Sequence, residues 1–158
     1  MPEHIKIAQS FVGVKEKTGH NDGPEVEMFL KSVGLGKGYA WCAAFVSYCL
    51  DKARVEFPKI RSAIARSFET KESIKAIDVL LGKKKVKDGS IVVWRKGSGL
   101  QGHTAFVTHW DRDKGETIEG NTSSGASGSQ RDGDGVYKRK RKIEPANYFR
   151  ITSFLEVK

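Results

Sequence analysis

The chain has little that would staple it, anchor it or export it. It carries two cysteines, Cys42 and Cys49, in 158 residues, too few for a disulfide-built scaffold. They lie seven positions apart in what reads as one helix, about 10 Å along its axis. At that separation they cannot bridge each other. No apolar run approaches the ~20 residues that a membrane-spanning helix needs. The first residues, Met1 to Lys6, lack the basic stretch and apolar core of a signal peptide. The expectation is a protein made in the cytoplasm and released by some other device. Acidic residues are also short, 19 against 28 Lys and Arg, for a net charge of +9. That balance favours anionic partners such as nucleic acid, membrane surfaces or wall polymers, without choosing among them. What is present suits one globular core: 38% of residues are hydrophobic and 30% charged. No repeat and no second domain is visible, so one domain over 1–158 is expected.

Helical periodicity comes first along the chain. Glu3 to Val14 carries an apolar stripe of Ile5, Ala8, Phe11 and Val12. Pro24 suits the first turn of a second helix that runs to about Ser32. From Cys42 to Ala53 the sequence is apolar nearly all round, which marks a buried central helix. Short helical pieces are expected at 62–68 and 73–81. Beyond Lys87 the period changes to two. Strands are expected at 91–94, 103–110, 116–121, 136–142 and 151–157, with a Gly/Ser-rich loop over 122–134. Helices followed by consecutive strands define an α+β class. The N-terminal helices would pack on an antiparallel sheet of five to six strands.

Cys42 opens the central helix, after Tyr39-Ala40-Trp41. A thiol there feels the positive end of the helix dipole and unpaired N–H groups, and both favour the thiolate. A cysteine in an apolar helix is otherwise an inert core residue, and Cys49 reads that way. The strands supply what separates the two. His103, Ala105 and Val107 share one strand face; Thr117, Glu119 and Asn121 share another. A hairpin through 111–115 would set His103 beside Glu119 and Asn121. The central helix, packed on that face, would bring Cys42 to His103. A thiolate, an imidazolium and a polar acceptor on the far ring nitrogen are the parts of a nucleophilic hydrolase.

Five segments occur in order: Asn21-Asp22-Gly23-Pro24, Trp41-Cys42-Ala43-Ala44-Phe45-Val46-Ser47, Asp88-Gly89-Ser90-Ile91-Val92-Val93, Gly102-His103-Thr104-Ala105-Phe106-Val107 and Glu119-Gly120-Asn121-Thr122. The set resembles the CHAP domains, within the wider NlpC/P60-like, papain-related group of peptidoglycan hydrolases. The likeness spans about 9–121, and the strand near Val136-Tyr137 extends it. It implies a papain-like fold, one catalytic domain and no separate cell-wall-binding domain. It implies cysteine-dependent hydrolysis of an amide bond in peptidoglycan, leading to lysis. The bond would be the N-acetylmuramoyl–L-alanine link or one within the peptides. By the resemblance Cys42 is the nucleophile, His103 the general base, Glu119 the third member and Asn121 a polar partner near them. Tyr39, Trp41 and Asn21 are candidates for substrate contact, and Trp41 reads equally as an anchor for the helix start. The type implied is a phage endolysin or an antibacterial effector, reaching the wall through a holin or a secretion system. An effector would have an immunity protein as partner. A monomer without a cofactor is expected.

Some CHAP enzymes bind calcium through an acidic loop just before the nucleophile. Here Val33 to Gly38 contains no acid, so no metal is expected. Asp132-Gly133-Asp134-Gly135 lacks the closing glutamate of a calcium loop and reads as a turn. Tyr137 to Lys142 looks like a nucleic-acid patch, but a solvated basic edge strand is the simpler reading. Asn121-Thr122-Ser123 matches a glycosylation sequon that has little weight without a signal peptide. His4 and His20 lack evident partners, His109 reads as structural or surface, and Trp94 and Trp110 as core. Two other classes stand as alternatives. One is a basic, non-enzymatic nucleic-acid-binding module. The other is a protein-directed cysteine deamidase or acyltransferase toxin.

Overall fold

Three helices lead the chain: α1 (Glu3–Ser10), α2 (Pro24–Lys31) and the longer α3 (Cys42–Lys52). A 3-10 turn at Ala65–Phe68 follows, then β1 (Ile74–Lys75) and α4 (Ala76–Leu80). The remaining strands are β2 (Ile91–Lys96), β3 (Gly102–Asp111), β4 (Lys114–Thr122), β5 (Gly135–Lys142) and β6 (Phe149–Leu155). The computed structural model describes residues 1–99, 101–122 and 133–158. Among them the strands form one antiparallel sheet in the order β1-β6-β2-β3-β4-β5. The architecture is α+β, with helices on a six-stranded antiparallel sheet, as in CHAP and papain-like folds. No helix among the described residues is long and apolar enough to cross a membrane.

Strand alternation gives the sheet two apolar faces. Ile91, Val93, Phe106 and Ile118 pack with residues of α1, α2 and α3. Val92, Trp94, Ala105, Val107, Ile151 and Phe154 form a second cluster, with Ala76 and Val79 of α4. In α3, Ala43, Ala44, Phe45, Val46, Cys49 and Leu50 are fully buried. Burial of a side chain such as Phe45 or Leu50 contributes about 1.5–3 kcal/mol. Phe29 of α2 packs edge-on against Phe45, centroids 5.2 Å apart, and this pins α2 to α3.

Two segments and one side chain differ from the sequence reading. α1 stops at Ser10, four residues short of Val14. The chain after it is drawn against the start of β5: Gly13 N–H donates to Val136 C=O, and Val136 N–H donates to Val14 C=O. The stretch 73–81 is not one helix. Ile74 and Lys75 pair with Phe154 and Ser153 as an edge strand before α4 begins. His4 does have a partner: it is buried, with Nε2 2.8 Å from Gly89 O and its ring against Phe106. Ser123 of the sequon, Asp132 and most of the Gly/Ser-rich loop lie outside the described residues.

Candidate active site

The site begins with how α3 is held at its first turn. Trp41 has left helical geometry (φ −127°, ψ 16°), so the helix starts at Cys42. The Trp41 indole is fully buried. It stacks on Phe29 with centroids 5.8 Å apart, and its Nε1 donates to Glu16 Oε2 at 2.8 Å. Trp41 therefore anchors the helix start and does not wall the cleft. On β4, Gly120 faces this turn. A Cβ there would fall 2.8 Å from the Cβ of Phe45 and 2.9 Å from Cζ3 of Trp41. Only a residue without a side chain lets the head of α3 lie this close to β4.

Asn121 completes the clamp. It sits in the left-handed region (φ 55°), at the register shift between Glu119 and Thr122. Asparagine tolerates that conformation better than most residues. The bulge ends the alternation that placed Asn121 on the face of Glu119. Its amide lies between Trp41 N–H and Gly133 C=O, and the orientation that satisfies both has the oxygen accepting from Trp41 N–H at 3.2 Å and the nitrogen donating to Gly133 C=O at 3.0 Å. Asn121 was expected as a polar residue near the site, on the strand face of Glu119; it lines the cleft with Cys42 and His103 but leaves that face. It holds the backbone that presents the thiol.

Cys42 and His103 line the same cleft, and the thiol is close enough to the imidazole for each to shift the other's proton. His103 Nε2 lies 2.9 Å from Glu119 Oε1, which leaves Nδ1 as the ring nitrogen toward the sulfur. Thr104 and Ala43 backbone N–H groups also reach the sulfur. Glu119 is fully buried, where an unpaired carboxylate would be costly. Besides the imidazole it accepts from Thr117 Oγ1 at 2.5 Å, and from Arg141 Nε and Nη2 at 2.7 and 2.6 Å. Arg141 in turn lies over the Trp94 ring at 5.0 Å, and Trp94 packs against His103 at 5.1 Å.

These contacts shift the protons. Burial pushes the Cys42 thiol up, but the hydrogen bond and charge of His103 outweigh it, and the thiol lies below its ordinary value. Burial disfavours the imidazolium of His103, yet the bonds and charges of Cys42 and Glu119 raise it to about 9. For Glu119 burial acts upward, while Arg141 and His103 hold the carboxyl well below the usual range. At neutral pH the arrangement favours a thiolate–imidazolium pair backed by an ionised carboxylate. Cys49 has none of this, and burial alone pushes its thiol far up.

The route by which Cys42 meets His103 differs from the strand-face reading. α3 packs on the Phe106 and Ile118 face. His103 lies on the other face, opposite Trp94 in register. Thiol and imidazole meet because α3 begins, and His103 follows the start of β3, at the same end of the sheet. The cleft there measures about 570 Å³, and its lining includes Cys42, His103, Asn21, Asn121, Lys96 and Gln101. Asn21 thus shares the cleft with the thiol. Tyr39 is exposed on the turn before α3 and is not among the lining residues.

Sequence reading missed Arg141, and it put Thr117 on the face of Glu119 without giving it a part in the site. The signal was present in β5, where Arg139 and Arg141 alternate with Lys138, Lys140 and Lys142. The arginines are half-buried and the lysines exposed. This is not a uniformly solvated basic edge: one face of the strand serves the interior. Among the described residues, no group of three or more His, Cys, Asp or Glu side chains is arranged to hold a metal ion.

A thiol at a helix head, an imidazole on the adjoining strand and a buried carboxylate behind it are the groups that a cysteine nucleophile needs. The CHAP domain family model matches residues 34–121, more than half of the chain, and the protein belongs to that family. CHAP domains are typically hydrolases acting on peptidoglycan. No curated protein and no solved structure gives a match.

Proposed function

We propose that the protein hydrolyses amide bonds in bacterial peptidoglycan with Cys42 as nucleophile. The observation that carries this is the line Cys42–His103–Glu119 at the floor of an open cleft, in a CHAP domain. The Cys42 thiolate attacks the scissile carbonyl, and the Cys42 N–H at the helix head stabilises the oxyanion. His103, protonated at Nδ1, gives that proton to the leaving amine. The imidazole then accepts a proton from water, the hydroxide attacks the thioester, and the acyl group leaves as the acid, which restores the Cys42 thiolate beside protonated His103. Glu119 fixes the ring through Nε2 and favours its charged form. The bond cut is the N-acetylmuramoyl–L-alanine amide or a peptide bond of the stem or cross-bridge. On this reading the protein is an endolysin or an antibacterial effector that reaches the wall through a holin or a secretion system. Its +9 charge supports attraction to the anionic wall.

Purified sacculi incubated with the protein and with Cys42→Ala test the reading. Expected are new ends with the wild type and none with the variant, identified by mass spectrometry. Free L-alanine amino groups on released peptides, with the glycan stripped of them, mean an amidase; other new amines mean an endopeptidase. Equal ends from both proteins would overturn the nucleophile. The nucleic-acid alternative loses support because the two arginines of β5 are engaged within the fold, Arg141 with Glu119 and Arg139 with Thr122.

A further inference from the structure

The charges at the site alternate. Cys42 faces His103, His103 Nε2 binds Glu119, and Glu119 takes a two-pronged bond from Arg141. Three of these groups, as thiolate, imidazolium and carboxylate, would leave a net negative charge in a buried place, where charge is costly. The guanidinium is the fourth and brings the sum to zero. Its geometry is fixed as well, because Arg141 lies over the ring of Trp94, and Trp94 packs against the imidazole. We propose that Arg141 is a positioning residue of the catalytic site, which keeps Glu119 ionised and aimed at His103 and so maintains the Cys42 thiolate at neutral pH. This rests on the reading of Cys42 as nucleophile.

Other charged groups nearby do not take this place. Arg139 of β5 donates to Thr122 Oγ1 at 3.0 Å and feels both Arg141 and Glu119. Lys96 of β2 lines the cleft. Arg66 of the 3-10 turn donates to Gly99 C=O. Arg150 of β6 lines the groove over Trp94. Arg141 is set apart by its two-pronged bond to both carboxylate oxygens of Glu119.

Loss of the guanidinium has a direction that does not depend on how Glu119 responds. If Glu119 stays ionised, Cys42 sees an uncompensated negative charge. If Glu119 takes a proton, the imidazolium loses its support, and the thiolate loses the imidazolium. Both raise the pH at which the thiolate forms.

The test is the pH dependence of Cys42 alkylation by iodoacetamide, with no wall substrate present, in wild type, Arg141→Met, Glu119→Gln and the double variant. The expected result is an acid limb moved up by about one unit or more in Arg141→Met. In the Glu119→Gln background, adding Arg141→Met moves it little further, since the arginine acts through the carboxylate. If Arg141→Met does not fold, Arg141→Lys replaces it: one ammonium cannot take both carboxylate oxygens as the guanidinium does, and a smaller upward shift is expected. An unmoved limb in the folded variant overturns the role of Arg141 while leaving Cys42 as nucleophile. A wild-type Cys42 no faster than Cys49 overturns the reading of the site, and this proposal with it.

Discussion

Cys42 and Cys49 are the same residue type on the same helix, and they have opposite chemistry. Cys42 stands at the helix head, against an imidazolium and two backbone N–H groups, and its thiol is pulled down. Cys49 is two turns along, wholly enclosed by apolar side chains, and its thiol is pushed up. Burial acts upward on both thiols. The lesson is that depth does not make a cysteine inert; the absence of a compensating charge does.

Four changes probe that difference. The largest effect should come from His103→Ala. It removes the compensating charge, so Cys42 alkylation at neutral pH should fall toward the rate of Cys49, and sacculus hydrolysis should fall by about 10²–10⁴-fold. Alkylation followed by peptide mapping resolves the two thiols. The second is pH. His103 loses its proton near 9, so above that value hydrolysis should decline for lack of a proton for the leaving amine. Alkylation should persist there, because the thiolate survives. A parallel decline of both rates would mean that the fold, and not the imidazole, is failing. Third, Gly120→Ala should cost about 1–3 kcal/mol in thermal or denaturant unfolding, by forcing the head of α3 away from β4. It should lower Cys42 reactivity and leave Cys49 protected. The smallest effect on chemistry should come from Cys49→Ala, a buried truncation that costs about 1–2 kcal/mol of stability. The pH profile of Cys42 alkylation should not move.

Much of this site was legible in the sequence, and the reason is locality. The apolar run 43–50 and the period-two strands fixed where Cys42, His103 and Glu119 would stand within their elements. Alternation alone put Thr117 and Glu119 on one face, and the two are hydrogen-bonded. Asn121 was misplaced because a bulge and a left-handed residue break the alternation that the reading assumed. Trp41 was left ambiguous because nothing near it in sequence names Phe29 and Glu16 as its partners.

The sequence by itself determined the element order, the α+β class, the thiol at a helix head and the strand positions of its histidine and carboxylate. Those follow from contacts and periods within a few residues. Tertiary structure alone decided which face of the sheet α3 covers, that thiol and imidazole meet at the sheet end, and that Arg141 closes the line of charge. Arg141 lies 22 positions from Glu119, and their meeting depends on the register of β4 with β5, which sets Glu119 opposite Tyr137 and Gly115 opposite Arg141. Pairing across strands depends on the whole packed sheet, and no window along the chain contains it.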